Sequence, residues 1–168
     1  MVTITTLMIK ELREMTGAGI MASKKALEES RGDIQAAAAA LAVQGLATAA
    51  KKAGRDTTEG VVQSYVHNGS RVAAMVELNC ETDFVARTPE FRDLAHDVAM
   101  QVAAMRPTYV SSEDMPEEDK TSPAETCLLA QPFIKDSTKT IQDLVNDIVA
   151  KVGENIRVRR FSCFSLGE

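Results

Sequence analysis

The residues with the clearest potential for chemistry or recognition are an acid and an aromatic side by side, Asp83 and Phe84. They lie in the segment Asn79–Arg87, which follows an apolar, strand-like run (Val72–Leu78) and precedes a helical pattern. A carboxylate at such a junction can do chemistry or accept hydrogen bonds, and an exposed aromatic side chain can anchor a partner. An ordinary turn is the competing interpretation, because Asn79 and Asp83 are good turn formers and the apolar neighbours could be core.

The elements before this junction show helical periodicity. Residues 5–53 are expected to form three short helices, with Thr5 and Asp33 as N-caps and glycines allowing positive φ in the Thr16–Gly19 turn. Residues 45–55 are expected to be a basic helical tail and linker. Three short helices bury little area alone, so this bundle needs a partner or the rest of the chain.

After residue 55 the pattern changes to strands mixed with helices. Two apolar runs separated by Asn68-Gly69 predict a hairpin, and a last strand is expected from Ile156 to about Phe164. A long helix with Thr88 as N-cap is expected between them. The predicted fold class is therefore α+β, with a three-helix bundle in residues 1–55 and a small, mainly antiparallel sheet packed with helices in residues 56–168.

Composition narrows the possible functions. The chain has 168 residues, 45% of them hydrophobic, and a formal net charge of −5, which argues against a broad nucleic-acid surface. Its three cysteines are far apart and form no zinc-like pattern. No window is long and apolar enough for a membrane span, and no targeting segment is evident. We therefore expect a soluble cytosolic protein with no membrane contact and no direct nucleic-acid partner.

Three motifs that could suggest an enzyme or a ligand site are rejected on context. Gly17–Ala22 matches a dinucleotide-binding fingerprint, but a helix precedes it where that fingerprint requires a strand. The acidic residues in 111–120 lack a glycine-containing ligand loop, and the basic charges of 51–55 lack interleaved aromatics. With no supported catalytic constellation, we expect no enzymatic bond chemistry, no cofactor and no metal.

Several segments, in order along nearly the whole chain, resemble those of the elongation factor Ts family. The most specific is NCETDFVAR at Asn79–Arg87. The full set is Ile9–Met21, Lys24–Glu29, Gly32–Ile34, Ala49–Arg55, Glu59–Val62, Asn79–Arg87, Gln131–Phe133 and Gly153–Phe161. The resemblance implies a ubiquitin-associated-like bundle, an α+β core, and nucleotide exchange on elongation factor Tu.

The resemblance also implies which residues make the contacts. It assigns a wedge that dislodges Mg²⁺ from the GTPase to Thr82, Asp83, Phe84 and Val85. A second contact, through the bundle, would involve Gly19, Ile20, Met21 and Lys24. Ala22-Ser23 departs from the family pattern, in which an acidic residue and a cysteine often precede the lysine pair.

The family resemblance extends to oligomeric state. The chain has room for one core module and so is similar to the short form, for which a homodimer is implied; a monomer that binds through one module is the alternative. A cysteine near the C-terminus is linked with dimer contacts in some short relatives. Here Cys163 lies in that region, and no intersubunit disulfide is expected in a reducing cytoplasm.

Two other classes of function remain open from the residues alone. A ubiquitin-associated-like adaptor with a different partner would fit the Thr16–Gly19 turn. An enzyme that uses the Gly17–Ala22 fingerprint comes third. Release of labelled GDP from elongation factor Tu would separate these two classes from an exchange factor.

Overall fold

The computed structural model describes residues 3–167, within which the chain forms seven α-helices and five β-strands. Met1, Val2 and Glu168, at the ends of the two predicted domains, lie outside the described residues. The elements in order are α1 (Thr6–Thr16), α2 (Ile20–Glu29), α3 (Ile34–Lys52), β1 (Glu59–Val66), β2 (Val72–Cys80), α4 (Asp83–Ala86), α5 (Pro89–Met105), α6 (Pro123–Thr126), β3 (Pro132–Phe133), β4 (Asp136–Thr140), α7 (Ile141–Val152) and β5 (Ile156–Ser165).

Helices α1, α2 and α3 pack around a small apolar centre formed by Leu12, Ala26, Leu27 and Ala37. The predicted caps are present: Thr5 Oγ1 accepts from Met8 N at 3.3 Å, and Asp33 Oδ1 accepts from Ala36 N at 3.0 Å. Gly17 ends α1 in the left-handed conformation with φ of 68°. The expectation of positive φ fails at Gly19, because that residue is the extended N-cap of α2 with φ of −66°.

Helix α3 continues through the predicted basic tail and ends at Lys52, so that it reaches from the bundle to the rest of the chain. Its C-terminal half packs on α7, and Gly45 of α3 faces Ala150 of α7. A Cβ on Gly45 would lie 3.3 Å from the Ala150 Cβ, so glycine permits this close approach. The division of the chain at residue 55 stays a prediction, since α3 belongs to both hydrophobic clusters through Ala37 and Ala49.

Strands β1, β2 and β5 form one antiparallel sheet with β2 in the centre, which confirms the α+β class. The predicted hairpin is present: His67 N donates to Val72 O at 2.8 Å around the Asn68-Gly69 turn, and Gly69 has φ of 84°. Helix α5 begins at the predicted cap, where Thr88 Oγ1 accepts from Phe91 N at 3.3 Å. It covers one face of the sheet, where Val76, Leu78 and Phe91 are fully buried.

The other face of the sheet is partly exposed in the single chain, although Asn79 at one end of it is buried. Its exposed apolar side chains come from all three strands and from the residue just beyond β5: Val62, Val66, Met75, Phe164 and Leu166. We call these five residues the outer apolar face. No helix in the described part of the chain is long and apolar enough to cross a membrane.

The close pairing of β1 with β2 gives a stability prediction at Gly60. A Cβ at this position would lie 2.1 Å from the Leu78 carbonyl oxygen, which is too close for any side chain. We expect Gly60→Ala to lower the free energy of unfolding by roughly 1–3 kcal/mol, in the range of an overpacked site. Chemical denaturation measures the change.

Gly54→Ala is the matched control, because a Cβ at Gly54 meets nothing within 4 Å. It should unfold at nearly the same denaturant concentration as the wild type. Equal stability of the two variants would contradict the close approach of β1 and β2.

Candidate partner-binding site

The wedge segment predicted from the sequence begins two residues after the end of β2, with Thr82 as N-cap of a four-residue helix, α4. Val85 and Ala86 turn inward and are buried, while Phe84 points outward and is 80% exposed. A phenylalanine so exposed buries little area in the single chain and is available to a partner. The core interpretation of this segment holds for Val85 but not for Phe84.

Thr82, the residue before α4, has each of its polar groups held. Its amide N and its hydroxyl donate to the two carboxylate oxygens of Glu154, at 3.0 and 2.7 Å. Its carbonyl oxygen accepts from the Cys80 thiol at 3.1 Å. Burial, with the nearby Glu154 carboxylate adding to it, raises the pKa of the Cys80 thiol to about 11, so that it keeps its proton at neutral pH.

A second set of contacts surrounds the first and joins three parts of the chain. Glu81 Oε1 accepts from Asn155 N at 2.6 Å, and Glu81 Oε2 accepts from Arg55 Nη1 at 3.5 Å. The Asn155 side-chain amide donates to the carbonyl oxygens of Ala53 and Arg55, at 3.3 and 2.8 Å. The end of β2, the α7–β5 loop and the end of α3 are therefore hydrogen-bonded to one another.

Asp83 lies on the surface and makes an ion pair along its own helix. Its Oδ2 is 2.8 Å from Arg87 Nη2, and both side chains are well exposed to solvent. Such a pair adds little stability because water screens it. The carboxylate is therefore open to exchange Arg87 for a hydrogen-bond donor of a partner.

The predicted bundle contact forms a surface at the start of α2. Gly19 is the N-cap, Ile20 and Met21 are exposed, and Lys24 Nζ lies 3.8 Å from Glu28 Oε1 on the next turn. Ser23, in the pair that departs from the family pattern, is fully buried in the bundle. At Ser23, the departure from the family pattern therefore lies in the interior of the bundle.

Two of the motifs rejected from the sequence lie in a helix–helix turn and in a surface connection whose carboxylates bond to nearby serine and threonine residues. Gly17–Ala22 joins α1 to α2, so no strand precedes it. In the acidic connection, Asp114 Oδ2 accepts from Ser111 N and Oγ, and Asp119 Oδ1 accepts from Thr121 N and Oγ1. Across residues 3–167, no group of three or more His, Cys, Asp or Glu side chains is arranged to hold a metal ion.

Sequence reasoning did not assign roles to Glu81, Glu154 or Asn155. Glu154 and Asn155 stand in one of the segments that resemble the family, but their partners lie more than 70 residues away. No local spacing rule connects positions so distant. A resemblance to the family was the only signal that could have drawn attention to them.

The burial of the segment predicts how its two apolar residues differ in stability. Val85→Ala removes buried methyl groups and should lower the free energy of unfolding by roughly 2 kcal/mol. Phe84→Ala should change it by less than about 0.5 kcal/mol, because the ring is exposed. Urea denaturation of both variants measures this; a larger loss for Phe84→Ala would contradict the exposed placement.

Comparison with known proteins identifies the family. The elongation factor Ts family model matches residues 46–124. Curated proteins named elongation factor Ts are similar over almost the whole chain. That of Carboxydothermus hydrogenoformans is 49% identical (98% of this chain, 90% of the relative), that of Moorella thermoacetica 48% (95% and 94%), and that of Thermotoga neapolitana 48% (96% and 96%). The first alignment runs over 195 positions, more than the 168 residues here, so that relative has internal residues that this chain lacks. The chain belongs to the elongation factor Ts family.

Proposed function

We propose that this chain is a guanine-nucleotide exchange factor that binds elongation factor Tu in its GDP form and promotes GDP release, so that GTP can bind. It would act in the cytoplasm, without bond chemistry, cofactor or direct nucleic-acid contact of its own. Membership of the elongation factor Ts family supports this activity. The single structural observation that supports it is the exposed side chain of Phe84, two residues after Thr82, whose polar groups are all hydrogen-bonded.

The chemistry of the partner explains what an exchange factor must do. A GTPase holds GDP through backbone amides and a lysine around the phosphates, and through Mg²⁺ bridging phosphate oxygens. A factor accelerates release if it binds the nucleotide-free form more tightly than the GDP form. By linkage, GDP must weaken the binding of the factor by the same ratio.

Within this proposal, Phe84 is the wedge. Its ring would insert between helices of the GTPase domain, and the displaced elements would dislodge Mg²⁺ and loosen the phosphate site. An aromatic ring suits this role because it buries a large area with few rotatable bonds. Asp83 would accept a hydrogen bond at the contact in place of its pair with Arg87.

The start of α2 would supply a second contact with the GTPase domain. Ile20 and Met21 offer exposed apolar area, and Lys24 carries a charge on the same helix. Gly19 places no side chain at the N-terminus of α2, so its backbone is accessible to a partner there. The long helix α3 would keep this surface at a set position relative to the core.

The exchange activity predicts a specific defect for Phe84→Ala. Truncation of a central aromatic anchor typically removes about 2 kcal/mol or more of interaction, so stimulated GDP release should slow by roughly 30-fold. Release of fluorescent GDP from elongation factor Tu, at several concentrations of the chain, measures it. Arg92→Ala, an exposed change on α5, is the control and should leave the rate unchanged.

Two results of this assay would contradict the proposal. A wild-type chain that binds elongation factor Tu without accelerating GDP release would favour the adaptor class. A Phe84→Ala variant with wild-type acceleration would reject Phe84 as the wedge and leave the exchange activity standing.

We further propose that two copies of the chain associate through the outer apolar face. Val66 and Phe164 lie in one row of the sheet on either side of Ala73, and Met75 lies in the next row between two serines. These apolar side chains lie on one face of the antiparallel sheet, with the Glu77–Arg160 ion pair in the row beyond Met75. A two-fold axis would place this face against its own copy, as in most homodimers.

The position of Cys163 supports a dimer without a disulfide through this face. Cys163 pairs in register with Ala74, and its side chain packs with the core on the face that α5 covers. The neighbouring Phe164 points to the opposite, outer face. Apolar contact, with no covalent bond, is therefore the proposed basis of the association.

A charge in the centre of the outer apolar face should separate the two copies. We expect Met75→Glu to shift the mass in solution from twice the 18.2 kDa of the chain to a single copy, because a carboxylate would lose its water there. Sedimentation equilibrium measures the mass. Leu7→Glu, at an exposed apolar position on α1, is the control and should stay dimeric; a wild-type monomer would contradict the proposal.

A further inference from the structure

The α7–β5 loop contains a carboxylate that holds the base of the wedge. Glu154 accepts two hydrogen bonds from Thr82, and Thr82 Oγ1 in turn lies 3.5 Å from Val85 N as the N-cap of α4. Phe84, whose ring is exposed, lies between Thr82 and Val85 in the sequence. Glu154 is therefore one residue removed from the contact surface and does not need to touch a partner itself.

The position of Glu154 is set from both sides by its neighbours in the chain. Before it, Gly153 ends α7 with φ of 78°, its amide donates to Val149 O, and its carbonyl accepts from Lys52 Nζ. After it, the buried Asn155 is bonded to Glu81 and to the last residues after α3. The carboxylate thus extends from a loop anchored on two helices, and its geometry is not that of a free surface side chain.

A helix as short as α4 has little stability of its own and depends on such a support. One helical turn orders several residues for very few internal hydrogen bonds, so its orientation must come from outside contacts. Val85 and Ala86 pack into the hydrophobic core and so fix the inner side of the helix. The bonds of Thr82 to Glu154 fix its beginning, and with it the direction in which the Phe84 ring points.

We propose that Glu154 is a positioning residue of the wedge, which acts on nucleotide exchange through Thr82 and Phe84 and not by contact with the GTPase. This inference rests on the proposed exchange function. Loss of the carboxylate would leave Phe84 present but would let α4 begin in more than one orientation. A misplaced anchor lowers the rate even when the chemistry of its side chain is intact.

The first experiment compares maximal rates of GDP release from elongation factor Tu at saturating concentrations of the full chain. Glu154→Ala should lower the maximal rate roughly tenfold, and Glu154→Gln, which keeps one acceptor oxygen, should retain part of it. Glu90→Ala is the matched control: Glu90 Oε1 makes an ion pair of 2.9 Å with Lys151 on α7, so the partner of this carboxylate is a lysine and not Thr82. This control should keep the wild-type rate.

The second experiment separates positioning from a general loss of stability. In a Phe84→Ala background, Glu154→Ala should change the remaining rate by less than about twofold, because the group through which it acts is gone. Hydrogen exchange should show faster exchange of the Thr82 and Val85 amides in Glu154→Ala than in Glu90→Ala. Both results would support the proposal.

The outcomes distinguish this inference from the function on which it rests. If Glu154→Ala lowers the rate by the same factor with and without Phe84, or leaves the wild-type rate unchanged, the positioning role is overturned and the exchange function stands. If the wild-type chain does not accelerate GDP release at all, the proposed function fails and the inference fails with it.

Discussion

Strand β2 is the element on which the rest of the core depends. It is hydrogen-bonded along both edges, to β1 and to β5, and its inward side chains lie under α5. A strand with both edges paired cannot shift register by one residue without moving every side chain to the wrong face of the sheet. The point at which β2 ends is therefore fixed, and the chain leaves the sheet at Glu81 and Thr82 in a set position.

Phe84 is exposed because of the place where the chain leaves β2. Because α4 makes only one turn before α5 begins, burial of Val85 and Ala86 leaves Phe84 on the outer side. A large exposed aromatic lowers solubility and adds no core packing, so its presence at a rigid position is informative. The two hydrogen bonds to Glu154 hold the polar groups of Thr82, at the start of the same helix.

Local sequence signals were enough to predict much of the fold. Thr5, Asp33 and Thr88 were predicted as helix caps and the Asn68-Gly69 turn as a hairpin, because each depends on residues only a few positions apart. The short β3–β4 ribbon was missed, since two residues of β3 carry no alternating pattern. The full length of α3 was only partly predicted, because its packing on α7 is a contact of distant segments.

The candidate site shows the same division between local and distant information. The sequence indicated Asp83 and Phe84 as an acid beside an aromatic, but not which of the neighbouring residues would be exposed. The support of Thr82 by Glu154 could not be predicted, because 72 positions separate the two residues. Family resemblance brought attention to the segments that contain Thr82 and Glu154, and the geometry of their contacts came from the fold.

The Kd of this chain for elongation factor Tu, measured without nucleotide and in saturating GDP, decides whether the Thr82–Val85 segment acts on nucleotide binding. If the Thr82–Val85 segment links the factor to the nucleotide, GDP must weaken binding of the wild-type chain, and Phe84→Ala must bring the two Kd values much closer together. This linkage would be contradicted by equal Kd values for the wild type in the two states. It would equally be contradicted by a Phe84→Ala variant whose ratio of Kd values matches that of the wild type.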